Sequence, residues 1–144
     1  MDIQLFPEEI KPVSLKLKCI VRIAVLISMP LNFFSPEKIE QLFLHMADNC
    51  ALANREEIDK IRNAVCVVSK KCRNQDGCLK RSLAVVIAAR IKKKSVSWCT
   101  GYAKNPFRAH AWVEVDNQPV GELEEVNEYV KEICVHKESK VRIG

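Results

Sequence analysis

The sequence predicts an α+β fold in which helices come first and a small antiparallel sheet follows. Up to Lys94, apolar residues recur every three or four positions, which is typical of amphipathic helices. From Val96 onward the pattern changes to alternation, with many strand-forming residues and short polar turns. The length of 144 residues suits one domain, 1–144, with a helical part at about 12–93, a sheet at about 95–122 and a C-terminal tail at 123–144.

The first predicted helix is an apolar stretch, Val13–Met29, that Pro30 ends. Basic residues interrupt its first half, so we interpret it as a core helix with one basic edge. An amphipathic helix that docks on another surface is the alternative. The uninterrupted apolar part, Ile23–Met29, is much shorter than the roughly 20 residues that cross a bilayer, and we predict no transmembrane segment.

Two further helices have clear start signals. Ser35 and Pro36 suit an N-cap and a first helical residue, while Asn54 suits the cap of the next helix, which has acidic residues in its first turn. That helix is expected to end near Lys71, before a polar, turn-forming run at 73–77.

The fourth predicted helix begins at Cys78 and has the wide apolar face of a central helix. Strands are predicted at 96–102 and at Ala109–Val115. A third, short strand is predicted at Pro119–Glu122, and its proline favours an edge position.

Cys78 and His110 are the candidate catalytic residues. A helix N-terminus carries about half a positive charge, which favours a thiolate over a thiol at Cys78. An imidazole on a nearby strand can take the thiol proton, and the two together form a nucleophile and its base. The alternative is that Cys78 is a small buried apolar residue, the commonest fate of a cysteine.

Composition argues against several other functions. The formal net charge of +5 is modest and the basic residues are scattered, so we predict no nucleic-acid partner. The seven cysteines are irregularly spaced and form no C-x-x-C pair, so we predict no metal site and no cofactor. Without a secretory signal peptide, the expected state is seven free thiols in a reducing cytoplasm.

The segment from Cys78 to Glu122 resembles a known family. The order of a cysteine on a helix start, a histidine on a strand and an acid on the next strand is that of the papain and transglutaminase-like fold. The chain resembles the small, stand-alone transglutaminase-like proteases of lasso-peptide biosynthesis over about residues 15–130. The matching residues are Val68–Ser69 before a turn that contains Cys72, then Cys78–Ala84, Trp98–Gly101, Pro106–Glu114 and Pro119–Glu122.

This resemblance implies a bacterial, cytoplasmic leader peptidase. Such a protease removes the leader from a ribosomally made precursor peptide, a separate recognition protein binds that leader, and a lasso cyclase closes the freed core. Cys78 would be the nucleophile and His110 the general base. The family usually has an aspartate as the third residue, whereas Glu122 holds the matching position here.

Asp116 is the alternative third residue, but an extended strand of six residues spans about 20 Å and places it at the hairpin tip. If Val115 pairs with Gln118, His110 lies opposite position 123. We therefore expect a bulge at the turn 116–118 that brings Glu122 level with the imidazole.

The remaining site residues are predicted less directly. The backbone N–H of Cys78 is expected to stabilise an oxyanion, together with a donor from the 73–77 loop for which Gln75 is a candidate. Trp112 could bind substrate and shield the ion pair, or simply pack in the core. Two other functions stay open on this fold: a non-catalytic peptide-binding scaffold, and an acyl transferase acting through a Cys78 thioester.

Overall fold

The computed structural model describes residues 12–46, 51–73, 77–104, 107–122 and 124–135, and it has the predicted α+β architecture. The helices are α1 Leu15–Leu31, α2 Pro36–Met46, α3 Arg55–Val68, α4 Lys70–Arg73 and α5 Cys78–Ile91. The strands are β1 Ala51–Leu52, β2 Lys94–Ser95, β3 Ser97–Lys104, β4 Phe107–Val115, β5 Gln118–Pro119 and β6 Val130–Val135. A 3₁₀ turn, Glu124–Glu128, precedes β6.

The first helix has the predicted length of 17 residues but begins and ends two residues later, because Pro30 lies inside its last turn. A proline there removes only one backbone donor, and the N–H of Asn32 still donates to the carbonyls of Ser28 and Met29. The prediction that Pro30 ends the helix is therefore wrong. One stripe of α1 is buried against α3 and α5, while its outward face is apolar and exposed.

The third helix has the predicted cap but ends earlier than expected. Asn54 and Glu57 form a capping box, in which each side chain accepts from the backbone N–H of the other. The helix stops at Val68 and not near Lys71, because Ser69 is extended, with φ −134° and ψ 113°. Its hydroxyl oxygen accepts from the N–H of Cys72 and so starts α4.

The centre of the molecule is α5. Every residue from Arg81 to Ala89 is buried, since α1, α3 and the sheet all pack around this helix. The sheet face that carries Trp98 and Val113 contributes to this core. The opposite face carries Trp112 and Cys99, and it packs against Val126 and the residues near β6.

The antiparallel sheet has four strands in the order β5-β4-β3-β6. The predicted edge position of β5 is confirmed, but the strand spans Gln118–Pro119 and not Pro119–Glu122. The last strand, β6, lies in the segment that was expected to be a tail. A second pairing that the sequence did not predict joins β1 and β2 in parallel.

A disulfide joins Cys99 on β3 to Cys134 on β6. These residues are direct partners across the two antiparallel strands, which brings their side chains together on one face. The expectation of seven free thiols is therefore wrong. Cys19, Cys72 and Cys78 are outside any disulfide.

Candidate active site

Cys78 is the first residue of α5, as predicted, and Gly77 occupies the cap position. A side chain at position 77 would overlap the carbonyl oxygen of Lys71, so glycine allows α4 to pack against the start of α5. The thiol is thereby placed at the positive end of the helix dipole. Its sulfur accepts a hydrogen bond from the backbone N–H of Ala111 on β4.

His110 lies between Cys78 and Glu122. Its Nε2 is 2.6 Å from Oε1 of Glu122, and the side chain of Glu122 is only 2% exposed. The imidazole also forms a side-chain hydrogen bond with Cys78, which leaves Nδ1 as the ring nitrogen that faces the thiol. The structure thus brings together the three residues that the sequence singled out.

The pKa values of the two central groups shift toward an ion pair. Burial would raise the pKa of Cys78, but the hydrogen bond and charge of His110, the N–H of Ala111 and the charge of Arg81 together lower it. Burial would lower the pKa of His110, but its hydrogen bonds to Cys78 and Glu122 outweigh burial and raise the pKa to about 9. Both shifts favour the ion pair, a thiolate on Cys78 beside an imidazolium on His110.

Glu122 reaches His110 by a different route from the one predicted. Val115 pairs with Gln118 as expected, and the turn between them, where Asp116 and Asn117 have φ of 53° and 63°, contains no bulge. The regular pairing ends after β5, and the chain turns at Gly121, which has φ +69°. The prediction of a bulge at 116–118 is wrong, since the turn toward the imidazole occurs after the strand.

Asp116 is exposed at the hairpin tip, at the end of β4 far from His110. The structure does not bring it to the imidazole. Gln75 lies outside the described residues.

Two buried arginines, which the sequence analysis did not single out, lie next to Glu122. Nη2 of Arg62 is 3.7 Å and Nη2 of Arg81 is 3.9 Å from Oε2 of Glu122. Arg81 follows Cys78 by three positions on the same helix, and this spacing was an available signal, because such residues share a helix face. Nothing local to α3 indicates that Arg62 is buried beside an acid.

Comparison with known proteins identifies the family of the chain. The profile of the transglutaminase-like superfamily matches residues 25–135, more than half of the chain. The chain belongs to the transglutaminase-like superfamily. Searches of curated proteins and of solved structures find no significant match.

Members of this superfamily are usually cysteine peptidases or acyl transferases, and both chemistries use an activated thiolate. In this transglutaminase-like chain, no helix of the described residues is long and apolar enough to cross a membrane.

Aromatic rings enclose the imidazole of this transglutaminase-like site. Trp112 is 1% exposed and stacks on His110, with ring centroids 5.7 Å apart and planes 20° apart. Tyr129, which the sequence analysis did not single out, contacts both rings edge-on. Trp112 therefore packs in the core and also covers one face of the imidazole, which reduces the access of water to the ion pair.

Cys99, Glu114 and Cys134 have ligand-type atoms within 4.8 Å of one another. Both sulfurs are used in the disulfide, and the carboxylate of Glu114 is engaged by Lys131 at 2.9 Å and by Trp112 Nε1 at 2.8 Å. These donor atoms already have partners, so we assign no metal to this cluster.

Proposed function

We propose that this protein is a cysteine peptidase that removes the leader from a ribosomally made lasso-peptide precursor. The observation that carries the proposal is the continuous set of contacts from Cys78 through His110 to Glu122, at the start of a buried helix. The matching residues between Cys78 and Glu122 support the choice of substrate class.

The reaction begins with the thiolate of Cys78, whose proton resides on His110. The sulfur attacks the carbonyl carbon of the leader–core bond, and the backbone N–H of Cys78 donates to the developing oxyanion. The imidazolium then gives its proton to the departing core amine, which leaves the leader as a thioester on Cys78. Water, deprotonated by His110, hydrolyses the thioester and releases the leader as an acid. Glu122 holds the imidazole and stabilises its charged form throughout.

A separate recognition protein delivers the leader in this proposal, and a lasso cyclase takes the freed core. The support is an exposed apolar face on and after α1, which includes Leu26 at 65% and Phe33 at 87% exposure. The proposed setting is the bacterial cytoplasm, where disulfides are uncommon, so the Cys99–Cys134 disulfide has to be protected from reductant by the burial of Cys99.

The test is cleavage of a leader–core precursor, encoded beside the gene, followed by mass spectrometry with the recognition protein present. Cys78→Ala should abolish cleavage and leave the melting temperature within a few degrees of wild type, since only one partly buried sulfur is removed. Cys19→Ala removes an exposed thiol on α1 and is the matched control. Because Cys19 lies on the face proposed to dock the partner, its cleavage rate without the recognition protein is compared and should match the wild type. Cleavage by Cys78→Ala would contradict the assignment of Cys78 as the nucleophile.

Two alternatives have separate tests. If the protein is a non-catalytic scaffold, iodoacetamide should modify Cys78 no faster than the exposed thiol of Cys19. An acyl transferase predicts that an added primary amine appears in the product as an amide, where a peptidase gives a free acid.

A further inference from the structure

Glu122 lies among three cationic groups. Its Oε1 contacts His110 at 2.6 Å, while its Oε2 lies 3.7 Å from Arg62 and 3.9 Å from Arg81. The side chains of the two arginines and the glutamate are 6%, 3% and 2% exposed. Burying a charged group is unfavourable unless it is paired, so this arrangement differs in kind from an ion pair on the surface.

Each guanidinium is held in place by other contacts. Nη1 of Arg81 donates to the carbonyl oxygen of Cys72 at 2.8 Å. Arg62 packs beside Gly121, where a Cβ would lie 2.5 Å from its Nε. Any larger residue at 121 would displace Arg62, so the glycine serves both the chain reversal and the arginine.

We propose that Arg81, supported by Arg62, is a positioning residue that holds Oε2 of Glu122 so that Oε1 faces His110. This inference rests on the proposed function of the same site. Glutamate has one more rotatable bond than the aspartate of the resembling proteases, so its carboxylate loses more freedom when it is held in one orientation. Arg81 also links the orienting acid to the helix that carries the nucleophile.

The consequence is measurable without a peptide substrate. If Glu122 loses the guanidinium of Arg81, its carboxylate holds the imidazolium less well, and the Cys78 thiolate forms only at higher pH. The rate of Cys78 alkylation by iodoacetamide, followed by peptide mass spectrometry from pH 4 to 10, rises with the fraction of thiolate. The inflection of this pH profile therefore gives the apparent pKa of Cys78. A substitution that only destabilises the fold lowers the melting temperature and leaves the inflection where it was.

At pH values well below the inflection, Arg81→Gln should lower the alkylation rate by about tenfold or more, which corresponds to an upward shift of about one pH unit. Arg81→Lys keeps the charge without the planar fork and should lose less than about threefold. Arg108→Gln is the control, because it removes the same charge from an exposed position on β4. Its profile should match that of the wild type.

The outcomes separate the two proposals. Wild-type Cys78 that reacts no faster than Cys19 overturns the proposed function. A reactive Cys78 whose inflection is unchanged in Arg81→Gln, or shifts equally in Arg108→Gln, overturns only the positioning role. Because the charge of Arg81 also lowers the pKa of Cys78 directly, Arg62→Gln decides whether the effect passes through Glu122. It removes the other guanidinium beside Glu122, so an upward shift of the inflection supports the inference and an unchanged inflection overturns it.

Discussion

Nε2 of His110 lies 2.6 Å from Oε1 of Glu122, a short contact that indicates a charge-assisted hydrogen bond. Glu122→Gln keeps the shape of the side chain but removes the charge that stabilises the imidazolium. We expect it to lower the rate of leader cleavage by at least about tenfold, because the orienting acid of comparable triads contributes orders of magnitude. The measurement is the initial rate of product formation by mass spectrometry.

Asp116→Asn is the matched control for this prediction. It removes a carboxylate from the same hairpin at an exposed position, and it should change the rate by less than about threefold. A sensitive Asp116 combined with a tolerant Glu122 would show that the observed hairpin does not represent the catalytic arrangement.

The central parts of the site were predictable because their signals are local. A cysteine after a turn-forming run marks a helix start, and the alternation around His110 marks a strand. The pairing of Val115 with Gln118 follows from a two-residue turn and is confirmed. The sequence predicted that Glu122 lies near His110. It did not predict that the chain turns at Gly121, because that turn packs against Arg62 of α3, which is distant in the sequence.

The last strand, β6, was not predicted, because it too depends on a contact with a distant part of the chain. Its first residues, from Val130 to Glu132, are exposed, so the segment lacks the apolar alternation of a half-buried strand. Its partner, β3, lies far back in the chain, and pairing between distant segments has no local signature. The Cys99–Cys134 disulfide depends on that pairing and was unpredictable with it.

The disulfide should contribute measurably to stability. Cys99 and Cys134 are separated by 35 positions, and closing a loop of that length in the unfolded chain gives a predicted stabilisation of about 3–4 kcal/mol. Cys134→Ser should lower the free energy of unfolding in urea by up to about that amount. Cys19→Ser, at an exposed thiol, is the control and should change it by less than about 0.5 kcal/mol.

Reductant provides a second arm of the same test. Because Cys99 is fully buried and Cys134 is partly buried, exchange with glutathione should be slower in the folded protein than in urea. Equal stability of the wild type and Cys134→Ser under oxidising conditions would contradict the prediction.

The activity should depend on pH in a bell shape. The reactive state needs a thiolate on Cys78, whose pKa is lowered, and a proton on His110, whose pKa is raised to about 9. The rate therefore rises as pH passes the Cys78 pKa from below and falls as pH passes about 9 and the imidazolium is lost. Alkylation of Cys78 needs only the thiolate, so it should rise without the fall at high pH. A cleavage rate still increasing above pH 10 would contradict the assignment of His110 as proton donor.

The outward face of α1 supports a final prediction about the recognition protein. Ile23, Leu26 and Ile27 are 51%, 65% and 46% exposed, and Phe33 follows at 87%. If this face docks the partner, Leu26→Glu replaces an apolar contact with a charge, and loss of one buried leucine costs about 1.5–3 kcal/mol. We expect the partner to speed leader cleavage by the wild type, and its stimulation of Leu26→Glu to fall by about tenfold or more.

The slow cleavage rate of Leu26→Glu without the partner should equal that of the wild type, because α1 contributes none of the residues around Cys78. Leu52→Glu makes the same change at a leucine that is 57% exposed on β1 and should respond to the partner like the wild type. Equal initial rates of the wild type with and without the recognition protein would show that the protease does not depend on a docked partner.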